Sequence, residues 1–291
     1  MFNVNYNYKI YTTKSGIYIA DCIKYILNKI NCNTTIVYSI NKEDINNNNN
    51  NPNEIYILLF CQTLKYIPLK NKYIIYQLEQ VKQSKWINKL YLERIEYSLF
   101  TLDYSLYNYN FFEKNFEKKY YKKIYHFPIP IINKFIINKN IEINYDLLFF
   151  GTFNKRRTDI CNILKDKYNI LVVNDLFGDE LYKVIIKSKI ILNIHYYKNA
   201  VLETARINDV LRFNKVIISE KSCDNDIMEL YNNIIYCEEI DDNLSNINKL
   251  YDLIDYYLID NNYKPIIDNN NNLIKKIYDY SYDNLLTLLK N

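Results

Sequence analysis

Tyr145-Asp-Leu-Leu-Phe-Phe150 is an apolar run that stops at Gly151, and Thr152-Phe-Asn-Lys-Arg-Arg157 follows it. An amphipathic segment continues through Tyr168, and a second apolar run covers Asn169 to Asn174. Asp179 to Lys187 reads as helix, Ile190 to Ile194 as strand breaking at His195-Tyr196-Tyr197, and Lys215 to Ser219 again as strand. Short apolar runs that alternate with helix-period segments about every ten to fifteen residues predict βα units and a parallel sheet. Asn154, Arg156, Arg157, His195, Glu203 and Arg206 cluster where these strands end. Open α/β sheets bind ligands at such ends.

The same alternation runs through the first half. Val4 to Ile10 predicts a strand, Ile19 to Ile30 a helix, and Thr34 to Ile40, Glu54 to Phe60 and Lys72 to Tyr76 further strands. Asn41 to Asn53 reads as a low-complexity loop, and Ser84 as the cap of a helix holding Trp86, Leu90 and Ile95. Tyr97 to Leu102 and Lys123 to Phe127 complete the half as strands. Pro128-Ile-Pro130 ends regular structure and marks a boundary. We therefore expect a domain over 1–127, a linker over 128–143 and a second domain over 144–291. Its last part is an Asn run at 269–272 followed by an amphipathic segment, Leu273 to Leu289.

With 291 residues, 49% hydrophobic and 24% charged, the chain can bury a packed core. Gly (3) and Pro (5) are scarce while Tyr (32), Asn, Ile and Lys abound, which reads as the codon usage of an AT-rich genome. The tyrosines are then expected as ordinary core and surface residues. A net charge of +4 is small for a nucleic-acid binder, so no nucleic-acid partner is expected. The one basic concentration, Lys114 to Lys123 with interleaved Phe and Tyr, reads as a solvated helix face. None of the six cysteines forms a CxxC, and two histidines offer no zinc constellation. Cysteines set among apolar residues predict a reducing, cytoplasmic setting. Neither a signal peptide nor a membrane span is expected.

Gly151, at a strand end before a helix, lets a ligand approach backbone N–H groups at a helix N-terminus that favours anions. Arg156 and Arg157 add charge there, and could equally form a solvated first helical turn. Glu203 opens a helix and can accept hydrogen bonds from a ribose diol. Arg206, three residues on, shares its face, so an ordinary Glu–Arg pair is the alternative. His195 and its neighbour Tyr196 stand at a strand end. Glu79 and Asp103 end strands of the first half. Either could be a general base or a mere cap. No GxSxG, P-loop or GxGxxG occurs, and Asp224-Asn-Asp226, which imitates a metal-binding DxD, lies beyond the main strands.

Taken together, Phe150 to Arg157, Ser188 to His195 and Leu202-Glu-Thr-Ala-Arg-Ile207 leading to Val216-Ile-Ile-Ser-Glu220 resemble glycosyltransferases of the two-domain GT-B fold. Tyr76-Gln-Leu-Glu-Gln80 with Ser84 and Trp86, then Leu102-Asp-Tyr-Ser105 and Asn108, look like a group of bacterial and viral glycosyltransferase-like proteins. The resemblance spans about residues 54 to 240. It implies two Rossmann-like domains facing a cleft, the first binding the acceptor and the second a nucleotide-sugar. It also implies sugar transfer to a hydroxyl of a glycan, lipid or protein, as in hexosyltransferases, with no cofactor and no metal. Carried over, Glu203 binds the donor ribose or sugar, and Gly151, Arg156 and Arg206 lie near the diphosphate. Two features depart from the usual pattern. Leu211 stands where the second Glu of E-x7-E is expected, and the glycine-rich acceptor loop shrinks to Ser15-Gly16. A non-catalytic binding or scaffold relative is the alternative.

Overall fold

A computed structural model describes residues 3–132 and 141–290. The chain divides into two compact units, Met1–Pro130 with Tyr278–Asn291, and Ile131–Ile277. Most of the expected linker, residues 133–140, lies outside the described residues. On the near side of it Ile129 is buried, and Ile131 is buried in the core of the second unit. Sequence patterning kept 144–291 together, whereas the division falls inside the last helix and groups its end with the first unit. There the Tyr280 hydroxyl comes within 3.5 Å of His126 Nδ1.

The first unit runs β1 (Asn7–Tyr11), α1 (Ile17–Lys29), β2 (Asn33–Val37), α2 (Lys42–Asn50), β3 (Glu54–Leu58), β4 (Tyr73–Gln77), α3 (Lys89–Tyr97), β5 (Thr101–Asp103), α4 (Leu106–Asn115), α5 (Lys118–Tyr121) and β6 (Ile124–His126). Its sheet is parallel with order β2-β1-β3-β4-β5-β6. Three sequence expectations change here. The Asn-rich stretch is helical as α2, because Asn41 accepts from the Asp44 amide at 2.9 Å while Asp44 accepts from the Asn41 amide at 2.8 Å. This reciprocal cap offsets the poor helix propensity of asparagine. Ser84 caps nothing. Instead α3 starts at Lys89 under an Asn88 cap. Tyr97 ends that helix, so the next strand begins only at Thr101.

The second unit runs β7 (Tyr145–Phe150), α6 (Lys155–Lys165), β8 (Ile170–Val173), α7 (Gly178–Ile186), β9 (Ser188–Asn193), α8 (Thr204–Leu211), β10 (Val216–Glu220), α9 (Asn225–Leu230), β11 (Ile235–Cys237), α10 (Ile247–Leu258) and α11 (Asp260–Lys290). Its parallel order is β11-β10-β9-β7-β8. The continuous apolar runs arise because both sheet faces are covered. Leu147, Phe149, Ile190 and Leu192 point to one core, and Leu148 and Ile191 to the other. Among the described residues no helix is long and apolar enough to cross a membrane.

Many tyrosines are core residues, as composition suggested. Buried hydroxyls need partners, and Tyr73 donates to Arg94 O and Tyr76 to Phe127 O, each at 2.8 Å. Among the described residues the six cysteines form no disulfide, and five of them are buried.

Because Leu148 is fully buried, Leu148→Ala should cost about 2–5 kcal/mol in chemical denaturation. Tyr256→Ala, at an exposed position, should stay within about 0.5 kcal/mol. Equal shifts would show that β7 is not part of the packed core of this unit.

Candidate functional site

In the second unit the strand order reverses between β7 and β9, the position where such sheets leave a crevice at their carboxyl ends. Gly151 closes β7 at φ +130°, a backbone state that L side chains rarely adopt. A Cβ there would lie 2.5 Å from Arg206 Nη2, so the glycine lets this arginine cross the strand end. The Arg206 guanidinium also stands 5.6 Å from the Phe150 ring centroid and donates to Asn193 Oδ1 at 3.0 Å.

Helix α6 begins beside Gly151. Asn154 is its cap, accepting from the Arg157 amide at 2.9 Å, and its Nδ2 donates to Tyr196 O at 2.7 Å. Its first turn carries Lys155, Arg156 and Arg157 and no acid. Cations there oppose the helix dipole, and the structure compensates each one. Lys155 pairs with Asp159 at 2.6 Å on the surface. Arg156 makes a two-pronged pair with the buried Glu220 carboxylate, and also donates to His195 O and Ile240 O. Arg157 donates to Ile194 O at 2.9 Å and Thr152 O at 2.7 Å, with its guanidinium over the Tyr196 ring. Arg156 and Arg157 therefore clasp the strand ends, and Arg206 is the arginine whose guanidinium lies across Gly151.

Glu203 is the residue just before α8. The expected pair with Arg206 is replaced by contacts to His195 Nδ1 at 2.6 Å and Arg157 at 3.5 Å. Asn193 Nδ2 donates to the same carboxylate at 3.0 Å. His195 is fully buried, and its two nitrogens face only acceptors, the Glu203 carboxylate and Lys221 O at 3.1 Å. An imidazole with acceptors on both sides is best satisfied as the cation. Burial alone would lower its pKa, but Glu203, with Glu220 beyond it, outweighs burial and raises it. Burial likewise pushes Glu203 up, and His195, Arg206 and Arg157 override it and hold the carboxyl well below its ordinary range. Arg157 is pushed down to about 9 by burial and by the Arg206 cation. Four cationic groups thus meet two carboxylates, a surplus that favours an anion.

A pocket of about 500 Å³ opens beside the start of α6, lined by Lys155 and Arg156 but also by Asp159, Asp241 and Asp242. Three carboxylates make it a poor anion site, so the anion-favouring ground is at Gly151 and Arg206. Among the described residues no three His, Cys, Asp or Glu side chains gather as metal ligands.

In the first unit, Glu79 is half-buried in the turn after β4. Its carboxylate accepts from Gln62 Nε2 at 2.8 Å and from Ser84 Oγ at 2.6 Å. Asp103 is different. It is 0% exposed and accepts from the Ser105 amide, Asn108 Nδ2 and Gln77 Nε2 at 2.9–3.2 Å. Burial pushes its pKa up to about 7 against those three donors. Its position suits a bracket for the turn better than the strand-end base expected from sequence. Gln77 is also fully buried, and it and Asn108 hold the Glu79 carbonyl rather than presenting amides outward.

Reading from sequence missed Glu220 and Asn193. A charge closing an apolar strand was the available signal for Glu220. A lone Asn inside a strand gave none.

No family profile matches the chain. Over 99 residues, 33% of this chain and 35% of the other, it is 34% identical to an uncharacterized protein of Acanthamoeba polyphaga mimivirus. Among solved structures it is similar to Anabaena HepE in complex with UDP and glucose, with TM-score 0.64 and 7% identity over 98% of this chain and 99% of that one. Sucrose-phosphate synthase from Thermosynechococcus elongatus gives 0.63 and 8% over 98% of both chains. A glycosyltransferase from Rickettsia africae gives 0.52 and 11% over 99% and 98%. The fold is α/β with two parallel sheets flanked by helices, and it matches the GT-B glycosyltransferases.

The two shifts at Glu203 and His195 have opposite pH signatures. A lowered carboxyl contributes stability above its unfolded value of about 4.3 and loses it as pH falls. A raised imidazole contributes fully below about 6.5 and loses it as pH rises through its folded value. The pair should therefore stabilise most between those two values. The stability gap between wild type and His195→Asn should shrink from about pH 6 to about pH 9 in denaturant titrations. A gap independent of pH would mean that the ring is neutral in the fold.

Proposed function

We propose that this chain is a glycosyltransferase that moves a sugar, of the hexose class, from a nucleotide-sugar to a hydroxyl acceptor. The observation that carries this reading is Arg206 lying across Gly151 at the β7/β9 reversal, with an ionised Glu203 fixed beside it. A diphosphate placed there meets the Gly151 backbone and a cationic surplus, while Glu203 offers a carboxylate to ribose or sugar hydroxyls. The GT-B fold is consistent with the reading, and the complex of HepE with UDP and glucose supports a uridine donor.

When the bond between the anomeric carbon and the phosphate oxygen breaks, negative charge grows on the leaving diphosphate. Fixed cations in a site poor in water stabilise that charge without reorganising. In this reading Arg206, backed by Arg157, does so, and no bound metal or cofactor is required. Arg156 positions: its pair with Glu220 holds the His195 segment against α6. The first unit is assigned to the acceptor. In an inverting reaction the attacking hydroxyl forms the new C–O bond and yields its proton to Glu79. Gln62 and Ser84 orient that carboxylate.

Arg206→Ala should weaken binding of a nucleoside diphosphate by roughly 1.5–3 kcal/mol while sparing the nucleoside, the loss of one charge-assisted bond. Titration calorimetry with both ligands decides this, and equal losses would place Arg206 away from the diphosphate. If wild type binds no nucleoside diphosphate at millimolar concentration, the donor reading fails. Binding without turnover of any donor would instead support a non-catalytic relative.

Glu79→Gln keeps shape and hydrogen bonding but removes the base. It should lower turnover about 10²–10⁴-fold and leave nucleotide affinity unchanged. Full turnover in this variant would take Glu79 out of the proton transfer and point to a retaining reaction.

A further inference from the structure

The basic run that sequence patterning assigned to a solvated helix face does not stand alone. Residues 113–123 hold five lysines and two glutamates, and residues 65–72 hold three lysines and no acid. The fold brings these two segments together at the end of α3. The Asn71 amide donates to Tyr97 O at 2.9 Å, and Lys70 Nζ lies 5.5 Å from the Tyr97 ring centroid. Lys123 Nζ donates to Ser98 O at 3.0 Å, and its ammonium is pushed down by burial and by its neighbours Lys122 and Lys70. Eight lysines against two glutamates exceed the net charge of the whole chain, which is +4. The rest of the protein is therefore net acidic, and the positive charge is concentrated at this place.

Apolar side chains stand among the lysines. Leu69 is 59% exposed, Tyr97 46% and Tyr66 37%. Leu69 sits just before Asn71, whose φ of 61° turns the chain into β4. Lys65 covers the Tyr66 ring at 5.3 Å, and Lys119 the Tyr120 ring at 4.8 Å. The patch lies where β4, β5 and β6 begin, whereas Glu79 and Asp103 stand where β4 and β5 end. It therefore lies at the opposite strand ends of the first unit from Glu79 and Asp103.

We propose that this lysine-rich surface, with Leu69, Tyr66 and Tyr97 at its centre, docks the protein on the face of an anionic lipid bilayer. Each lysine near such a surface adds electrostatic attraction, tyrosines sit at the level of the headgroups, and a projecting leucine enters the acyl boundary. Nucleic acid fits less well. Neither segment contains an arginine to grip phosphate or read a base edge, and an exposed leucine has no role on a phosphate backbone.

The test is co-sedimentation of the full chain with vesicles of phosphatidylcholine alone or with added phosphatidylserine. Binding should require phosphatidylserine and fall as salt rises. The triple variant Lys118→Gln, Lys119→Gln, Lys122→Gln should bind roughly a hundredfold more weakly, at about fivefold per lysine. Leu69→Ser should lower the binding that survives in high salt by several-fold. Thermal unfolding midpoints equal to wild type would establish that the exposed substitutions leave the fold intact. Undiminished vesicle binding in the triple variant overturns the proposal. So does tighter binding to a mixed-sequence oligonucleotide than to the anionic vesicles, untouched by Leu69→Ser.

Discussion

The Glu220 carboxylate is the point on which the second unit turns. It is almost wholly buried, and a buried charge is costly unless every lone pair is met. Here the His195 and Ile240 amides donate to it at 2.7 Å each, and Arg156 closes the remaining side with two N–H groups. One side chain at the end of β10 thereby fixes the loop after β9, the segment after β11 and the first turn of α6. Removing Arg156 would leave the charge unpaired, the situation that usually costs most in a buried pair.

This anchoring decides which cations remain for chemistry. Arg156 is committed to Glu220, and Arg157 to two backbone carbonyls. What lies across the strand end is Arg206, beside a carboxylate that a buried imidazolium keeps ionised. The glycine at 151 matters for the same reason, since any side chain there would strike that guanidinium. The first unit repeats the logic with different chemistry. The buried Asp103 collects Ser105, Asn108 and Gln77, and the last two in turn hold the turn that carries Glu79.

Helices and strands were legible wherever a run was bounded by clear signals. Tyr145 to Phe150 reads as a strand covered on both faces, and it is β7. Asn41 to Asn53 misled because asparagine is a poor helix former, and only the reciprocal cap with Asp44 reveals α2. Ser84 looked like a cap by residue type, yet its hydroxyl serves Glu79, seen only once the turn is folded. The candidate site was legible as a set of polar residues at strand ends. Which of them touch was not.

The sequence by itself determined the alternation of apolar runs and helix-period segments, and with it the parallel α/β architecture, because periodicity is a local property of the chain. It also placed Gly151, His195, Glu203 and Arg206 at strand ends. Tertiary structure alone decided the pairing of Glu203 with His195, the commitment of Arg156 to Glu220 and the meeting of residues 65–72 with 113–123. Each of these depends on strand order, and strand order brings together residues that no local pattern connects.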